Sequence, residues 1–325
     1  MSNSEIIEVE CQIADYVSDA VLLKDLKKIM VTSWDGMLSI YDYNDKGNIF
    51  LESRIQHEYP LLSCYECLSD NERYIYVGSV QGEILQADLT INEFIPVKEV
   101  RSNLGISKIC SFKGMVICGS WDGFIQVIDC RRNEIVDFLE LEGCAKIFSM
   151  EINEEKLIIS TTGNKLLLYS LPIEASSKGI IIESGLKYQT RDIKLNPQGD
   201  GYVSSSIDGR VAVEYFGDDS KKFAFRCHRM NLTDNQLVFP VNSICFVPNS
   251  NILYTGGSDG CVSCWNLISR KKVEQFPKFN EDSVVKLDCN GDVLCVATSD
   301  DSFKTNSSTV EESPFRPSRL YLIFL

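Results

Sequence analysis

Only two histidines, His57 and His228, occur in 325 residues. General acid–base or metal chemistry that depends on imidazole therefore has little material to work with. Basic charge is short as well: 32 Lys and Arg stand against 46 Asp and Glu, a net charge of −14. Phosphate backbones recruit dense positive charge, so a general electrostatic hold on DNA or RNA is excluded and any basic reading site must be local. No apolar run reaches the roughly 18 residues that span a bilayer, and the opening Met1-Ser2-Asn3-Ser4-Glu5 lacks the basic-then-apolar order of a secretion signal. Together these absences predict a soluble intracellular protein with no membrane partner. Also missing are a phosphate-cradling Gly-rich loop that runs into a Lys and a helix, a nucleophile elbow and a His-rich metal motif. Neither catalysis nor a cofactor is expected.

Cysteine, by contrast, is abundant, with 13 spread from Cys11 to Cys295. The odd number and the apolar strand-like surroundings fit small buried thiols in a reducing compartment better than a disulfide framework. Two Cys-x-x-Cys pairs exist, Cys64/Cys67 and Cys261/Cys264. Each lies in an alternating pattern, where a spacing of three sends the two thiols to opposite sheet faces, so neither pair is expected to hold zinc. The 44% apolar content is ample for a core, since a chain this long hides roughly three-quarters of the surface it would expose unfolded.

An internal repeat organises the rest. Ser33-Trp34-Asp35-Gly36, Ser79-Val80-Gln81-Gly82 and Ser120-Trp121-Asp122-Gly123 are followed by Thr161-Thr162-Gly163-Asn164, Ser206-Ile207-Asp208-Gly209, Gly257-Ser258-Asp259-Gly260 and Thr298-Ser299-Asp300-Asp301. From Asp35 to Gln81, Asp122, Gly163, Asp208, Asp259 and Asp300 the steps are 46, 41, 41, 45, 51 and 41. A period near 40–45 residues is that of propeller blades. Asp-Gly between apolar runs predicts a hairpin with a type I′ turn. Three residues past each turn stand Leu38, Ile84, Ile125, Leu166, Val211 and Val262, the inward positions of a period-two strand. Two further apolar strands precede each turn, as in Ser107–Phe112 and Met115–Cys118.

The fold class expected is therefore all-β, a seven-bladed WD40-type propeller filling residues 1–325 as one domain. The strand-like run Glu5–Gln12 is expected to close the last blade, because propellers remove an exposed edge that way. Residues 302–318 are polar and are expected to form a mobile loop before Arg319–Phe324 resumes the strand pattern. The Trp-Asp dipeptide of this repeat class should end the strand after the turn. At that place the chain has Tyr41-Asp42, Ala87-Asp88, Ile128-Asp129, Tyr169-Ser170 and Trp265-Asn266, so the repeats are degenerate.

Two clusters stand out as candidate sites. Trp34 and Trp121 occupy equivalent turns of the first and third repeats, and hence one propeller face; each is either a plug between blades or a binding anchor. Lys221-Lys222-Phe223-Ala224-Phe225-Arg226-Cys227-His228-Arg229, with Arg210 upstream, concentrates positive charge in an acidic chain. Either it is a strand edge kept soluble by lysine or it reads an anion. Arg226 and Arg229, three apart, would not share a face in a regular strand.

The strings Glu183–Asp192, Ser205–Tyr215, Phe223–Arg229, Pro240–Ile244 and Phe279–Lys286 resemble the signature of the spindle-assembly-checkpoint propeller family, that of the third budding-uninhibited-by-benzimidazole protein. The resemblance spans essentially the whole chain. A sister propeller that serves messenger-RNA export at nuclear pores shares Leu186–Gln189, Gly209–Ala212 and Cys227–Arg229. It usually continues with Ile-His-Tyr where this chain has Val213-Glu214-Tyr215. The resemblance implies a nuclear, kinetochore-bound protein whose top face grips an extended GLEBS peptide of the checkpoint kinase and of a Mad-type adaptor, with Trp34, Trp121 and Arg191 serving that site. It further implies a side site, Arg210 and Arg226, for the phosphothreonine of phosphorylated Met-Glu-Leu-Thr repeats on the kinetochore scaffold. Participation in the mitotic checkpoint complex that inhibits the anaphase-promoting complex is implied too. Metal, cofactor and direct nucleic acid are not.

Overall fold

The computed structural model describes residues 5–23, 25–45, 47–302 and 316–325. Among them, twenty-eight strands form seven four-stranded antiparallel sheets, and two more form a short ribbon. Blade 1 is Val17–Leu22, Lys28–Ser33, Met37–Tyr43 and Ile49–Gln56. Blades 2 to 6 repeat this order, and blade 5 is Thr190–Leu195, Gly201–Ser206, Arg210–Tyr215 and Phe223–Arg226. The first strand of each blade is innermost: Asp19, Tyr65, Lys108, Glu151, Asp192, Ser243 and Lys286, one from each blade, line a single central cavity of about 320 Å³.

Alternation decides what faces what. Leu38, Ile84, Ile125, Leu166, Val211 and Val262 are all buried between blades. Cys64 joins Met30, Leu38 and Ile40 in the cluster shared by blades 1 and 2, whereas Cys67 joins Ile109 and Cys118 in that shared by blades 2 and 3. The three-residue spacing thus divides the pair between two sheet faces, and the described residues hold no group of three or more His, Cys, Asp or Glu arranged for a metal.

The turns correct one expectation. Positive φ falls on the glycine alone, 80° at Gly36, 87° at Gly123 and 66° at Gly209, while the preceding aspartates stay out of the left-handed region. Gly36 N–H donates to Ser33 O at 3.1 Å, which makes a type I turn with glycine in the following left-handed position rather than a type I′ turn. In three of these turns a serine adds a further hydrogen bond, although Gly257-Ser258-Asp259-Gly260 closes in the same way without it. The serine hydroxyl donates to the aspartate two residues on, as Ser33 does to Asp35, Ser120 to Asp122 and Ser206 to Asp208. Each turn then docks on the residue that leads into its own inner strand: Trp34 N–H donates to Tyr16 O, Trp121 to Gly105 O and Ile207 to Gln189 O, at 2.9, 2.9 and 3.2 Å. All these turns therefore ring one mouth of the central channel, the end at which the inner strands begin, here called the upper face.

Polar staples join the inner strands. Asp192 accepts from Ser149 Oγ of blade 4 at 2.8 Å and from Ile244 N of blade 6 at 3.0 Å, and Asp288 of blade 7 accepts from Leu22 N of blade 1 at 2.7 Å. These half-buried carboxylates are tolerated there because each is hydrogen-bonded. Asp19 shows the balance: burial pushes its carboxyl up, but Lys108 at 3.2 Å and Lys286 at 3.5 Å together hold it below the usual carboxylate range.

Blade 7 is completed as the alternation predicts. Its order is Ser283–Cys289, Val293–Ser299, Ser318–Phe324 and then Glu5–Ile13, with Ile7 opposite Leu322 and Val9 opposite Leu320. The strand after the polar stretch begins one residue earlier than expected. Ser318 is buried, and its hydroxyl donates to Asp15 O at 2.8 Å and to Ser299 Oγ at 2.7 Å. Arg316 already pairs with Asp282 at 2.7 Å and Asp300 at 3.3 Å. Of the loop expected over 302–318, residues 303–315 lie outside the described residues. Deleting residues 1–12 removes the ladder to Ser318–Phe324 and the burial of Val9, worth about 2 kcal/mol for the side chain alone. The melting temperature should fall by more than about 5 °C and the bared edge should promote aggregation. A thermal melt with light scattering reads both, and an unchanged transition would contradict this closure.

Candidate functional site

The upper face carries an aromatic and a cationic group around one mouth. Trp34 is 40% exposed, unusual for so large an apolar ring. Trp121 is half-buried because its ring lies over Gly105, where even a Cβ would sit 2.8 Å from the indole. The two equivalent tryptophans thus divide between the two readings of their position: Trp34 is open to a ligand, and Trp121 is part plug, part surface.

Arg191 follows Thr190 at the start of the blade 5 inner strand and is exposed. Its Nη2 donates to Asn242 Oδ1 of blade 6 at 3.4 Å, a long and weak bond. Its charge also reaches Tyr16 in the segment leading into blade 1. Burial pushes that phenol up to about 12, against the opposing pull of Arg191. Tyr16 thus holds Trp34 through its carbonyl and feels the charge of Arg191, while Trp121 stands two blades from Trp34 on the same rim.

The basic run is broken into parts with different partners. Lys221 and Lys222 pair with Asp218 and Asp219 at 3.1 and 3.3 Å, as solubilising charges do. Arg229 does not continue the strand of Arg226: His228, at φ 49°, interrupts it, and Arg229 begins the ribbon strand Arg229–Asn231. Its Nη2 donates to Asp208 O at 2.7 Å and its Nη1 to Gln236 at 3.0 Å. Arg210 lies 2.9 Å from the Asp208 carboxylate, and Arg226 remains. The two arginines are direct cross-strand partners in blade 5, Arg226 is exposed, and it has no carboxylate in ion-pair range among the described residues. Like charges placed opposite one another destabilise a sheet unless an anion joins them.

Several surface groups escaped the sequence reading. Leu104, Tyr188 and Ile207 are 46%, 46% and 42% exposed in upper-face loops, and the ribbon Arg229–Asn231 with Gln236–Val238 exposes Met230, Leu237 and Val238. The 51-residue step between Asp208 and Asp259, the longest of the six, was the available signal for that insertion. His228 was missed too. It is buried, with Nδ1 2.8 Å from Asp259 Oδ1 and Nε2 2.9 Å from Thr255 Oγ1, and Trp265 Nε1 donates to the same hydroxyl at 3.1 Å. This closed polar chain ties the loop entering blade 6 to three of its strands and turns, a structural use that satisfies every member.

The segment containing that chain, residues 227–266, matches the family model of the WD domain, G-beta repeat. The WD40 β-propeller domain of Doa1 superposes with a TM-score of 0.73 at 16% identity, over 99% of this chain and 97% of that one, which shows a shared fold. The Poly(A)+ RNA export protein of Schizosaccharomyces pombe is 26% identical over 91% of this chain and 84% of its own length. Mitotic checkpoint protein BUB3.1 of Arabidopsis thaliana is 30% identical over 88% of this chain and 84% of its own length. With seven blades, a WD repeat and that extent of likeness, the chain belongs to the BUB3 family of mitotic checkpoint WD40 proteins.

Proposed function

We propose that this propeller is a non-enzymatic docking platform of the spindle assembly checkpoint. Its upper face grips the GLEBS motif of the checkpoint kinase and of the Mad-type adaptor, with the Trp34 and Trp121 indoles covering apolar side chains and Arg191 meeting acidic ones. Arg210 and Arg226 hold the phosphothreonine of phosphorylated Met-Glu-Leu-Thr repeats on the kinetochore scaffold. In the nucleus, at unattached kinetochores, the two sites together recruit the proteins of the mitotic checkpoint complex that inhibits the anaphase-promoting complex.

The observation that carries this reading is the register of blade 5, which sets Arg210 directly against Arg226 on a chain of net charge −14. A phosphate brings a charge of roughly −1.5 to −2 and three acceptor oxygens, enough to serve two guanidinium forks. The test is titration of the propeller, loaded with a GLEBS peptide, with phosphorylated and unphosphorylated repeat peptides. At least about tenfold preference for the phosphorylated form is expected; equal affinities would remove the second site from the proposal.

A second reading, messenger-RNA export, is favoured by the likeness to the fission-yeast export protein. It shares the idea of a peptide-gripping propeller and differs in the partner. Retention of RNA by the purified chain at moderate salt would support a direct nucleic-acid version of it, and its absence would count against that version.

A further inference from the structure

Asp208 belongs to the turn that leads into Arg210, and its carboxylate lies 2.9 Å from Arg210 Nε. That Nε–H is not aimed at a hydrogen-bond acceptor among the described residues, so the contact is a Coulombic pair without a locked hydrogen bond. Arg210 stays 40% exposed in its side chain, and Asp208 19%. The corresponding turn carboxylates of other blades are engaged differently. Asp122 accepts Asn103 N at 2.7 Å, and Asp259 accepts from Cys261 N and His228. In blade 5 Ser206 Oγ donates to one carboxylate oxygen, as Ser120 does to Asp122, but it is Arg229 that holds the turn, through the Asp208 carbonyl. The second carboxylate oxygen is therefore available to Arg210.

Resting on the phosphothreonine reading of Arg210 and Arg226, we propose that Asp208 is a built-in counter-ion that an incoming ligand must displace from Arg210, making the site selective for a dianionic phosphate over a single carboxylate. A glutamate side chain would exchange one arginine–carboxylate pair for another and gain almost nothing. A phosphate gains, because it spans Arg226 as well and carries about twice the charge. The device keeps an acidic stretch of an unphosphorylated partner, or a free carboxylate, from filling the site.

The test uses one repeat peptide in three forms, with threonine, phosphothreonine or glutamate at the central position, titrated into the wild-type propeller and Asp208→Asn. The amide keeps an acceptor for Ser206 and removes the charge. In the wild type the glutamate and threonine forms should bind alike. In Asp208→Asn the glutamate form should gain about threefold to tenfold over the threonine form, and Asp208→Asn/Arg210→Ala should lose that gain. No gain, or weaker binding of the phosphorylated form in Asp208→Asn, overturns the proposal and makes Asp208 a positioning residue for Arg210. If the wild type fails to distinguish phosphothreonine from threonine, the phosphothreonine reading itself falls. Should Asp208→Asn not fold, the wild type alone decides by competition against bound phosphopeptide. Inorganic phosphate is expected to compete at a concentration at least about tenfold below that of acetate; equal potency overturns the proposal.

Discussion

Arg191→Glu is expected to abolish binding of a GLEBS peptide while leaving the thermal transition of the propeller unchanged. The side chain is exposed and its hydrogen bond to Asn242 is 3.4 Å long, so the fold has little to lose. Binding has much to lose. Buried arginine and tryptophan anchors typically cost about 2 kcal/mol or more when truncated, and reversal of the charge adds repulsion against an acidic peptide at the mouth that Tyr16 and Asn242 share with Arg191. A loss of at least about a hundredfold by calorimetry is the expected reading. Trp34→Ala and Trp121→Ala separate binding from stability. Trp34 is open, so its loss should weaken the peptide alone, whereas Trp121 packs on Gly105 and its loss should lower the melting temperature as well. Normal binding by Arg191→Glu would return Arg191 to a structural role.

The second large effect is expected at the arginine pair. Arg210→Ala or Arg226→Ala should weaken the phosphorylated repeat peptide by about tenfold to a hundredfold, since a charge-assisted hydrogen bond contributes about 1.5–3 kcal/mol. The unphosphorylated peptide should hardly change. The pair should also behave as one unit, because the two residues are direct cross-strand partners. The double substitution is then expected to cost less than the sum of the singles. Lowering the pH adds a check whose sign follows from the ligand: a phosphate monoester loses its second charge below about pH 6, so wild-type affinity should fall there, and fall less in either single variant. Unchanged affinity in both single variants would mean that the phosphate lies elsewhere.

How far the sequence alone reached depends on the kind of information each residue carries. Period-two alternation and the spaced turns were sufficient for the blades, because a strand's inward positions are a property of the chain: Leu38, Ile84, Ile125, Leu166, Val211 and Val262 all bury as expected. The turn type differs from the expectation: Asp-Gly alone favours type I′, whereas the turns close from the first residue to the glycine as type I turns, as Gly36 on Ser33 and Gly260 on Gly257 do, with positive φ on the glycine alone. The candidate site was legible in its residue types and not in its geometry. That Arg226 stands opposite Arg210 follows from the ladder register after the Gly217–Lys222 loop, which no local pattern fixes. His228 looked like part of a basic run because its partners Thr255, Asp259 and Trp265 are brought to it only by the closure of blade 6. Leu104, Tyr188 and the ribbon bearing Met230 escaped for the opposite reason, since single apolar residues in loops carry no signal until burial is known.

Recovery of the tagged chain from mitotically arrested cells, with partners identified by mass spectrometry, separates checkpoint from nuclear-pore company in one measurement. The expected result is the GLEBS-containing checkpoint kinase, the Mad-type adaptor and the kinetochore scaffold, with the scaffold lost on phosphatase treatment and the kinase lost in Arg191→Glu. Recovery of nuclear-pore and messenger-RNA export proteins in place of the checkpoint kinase would contradict it.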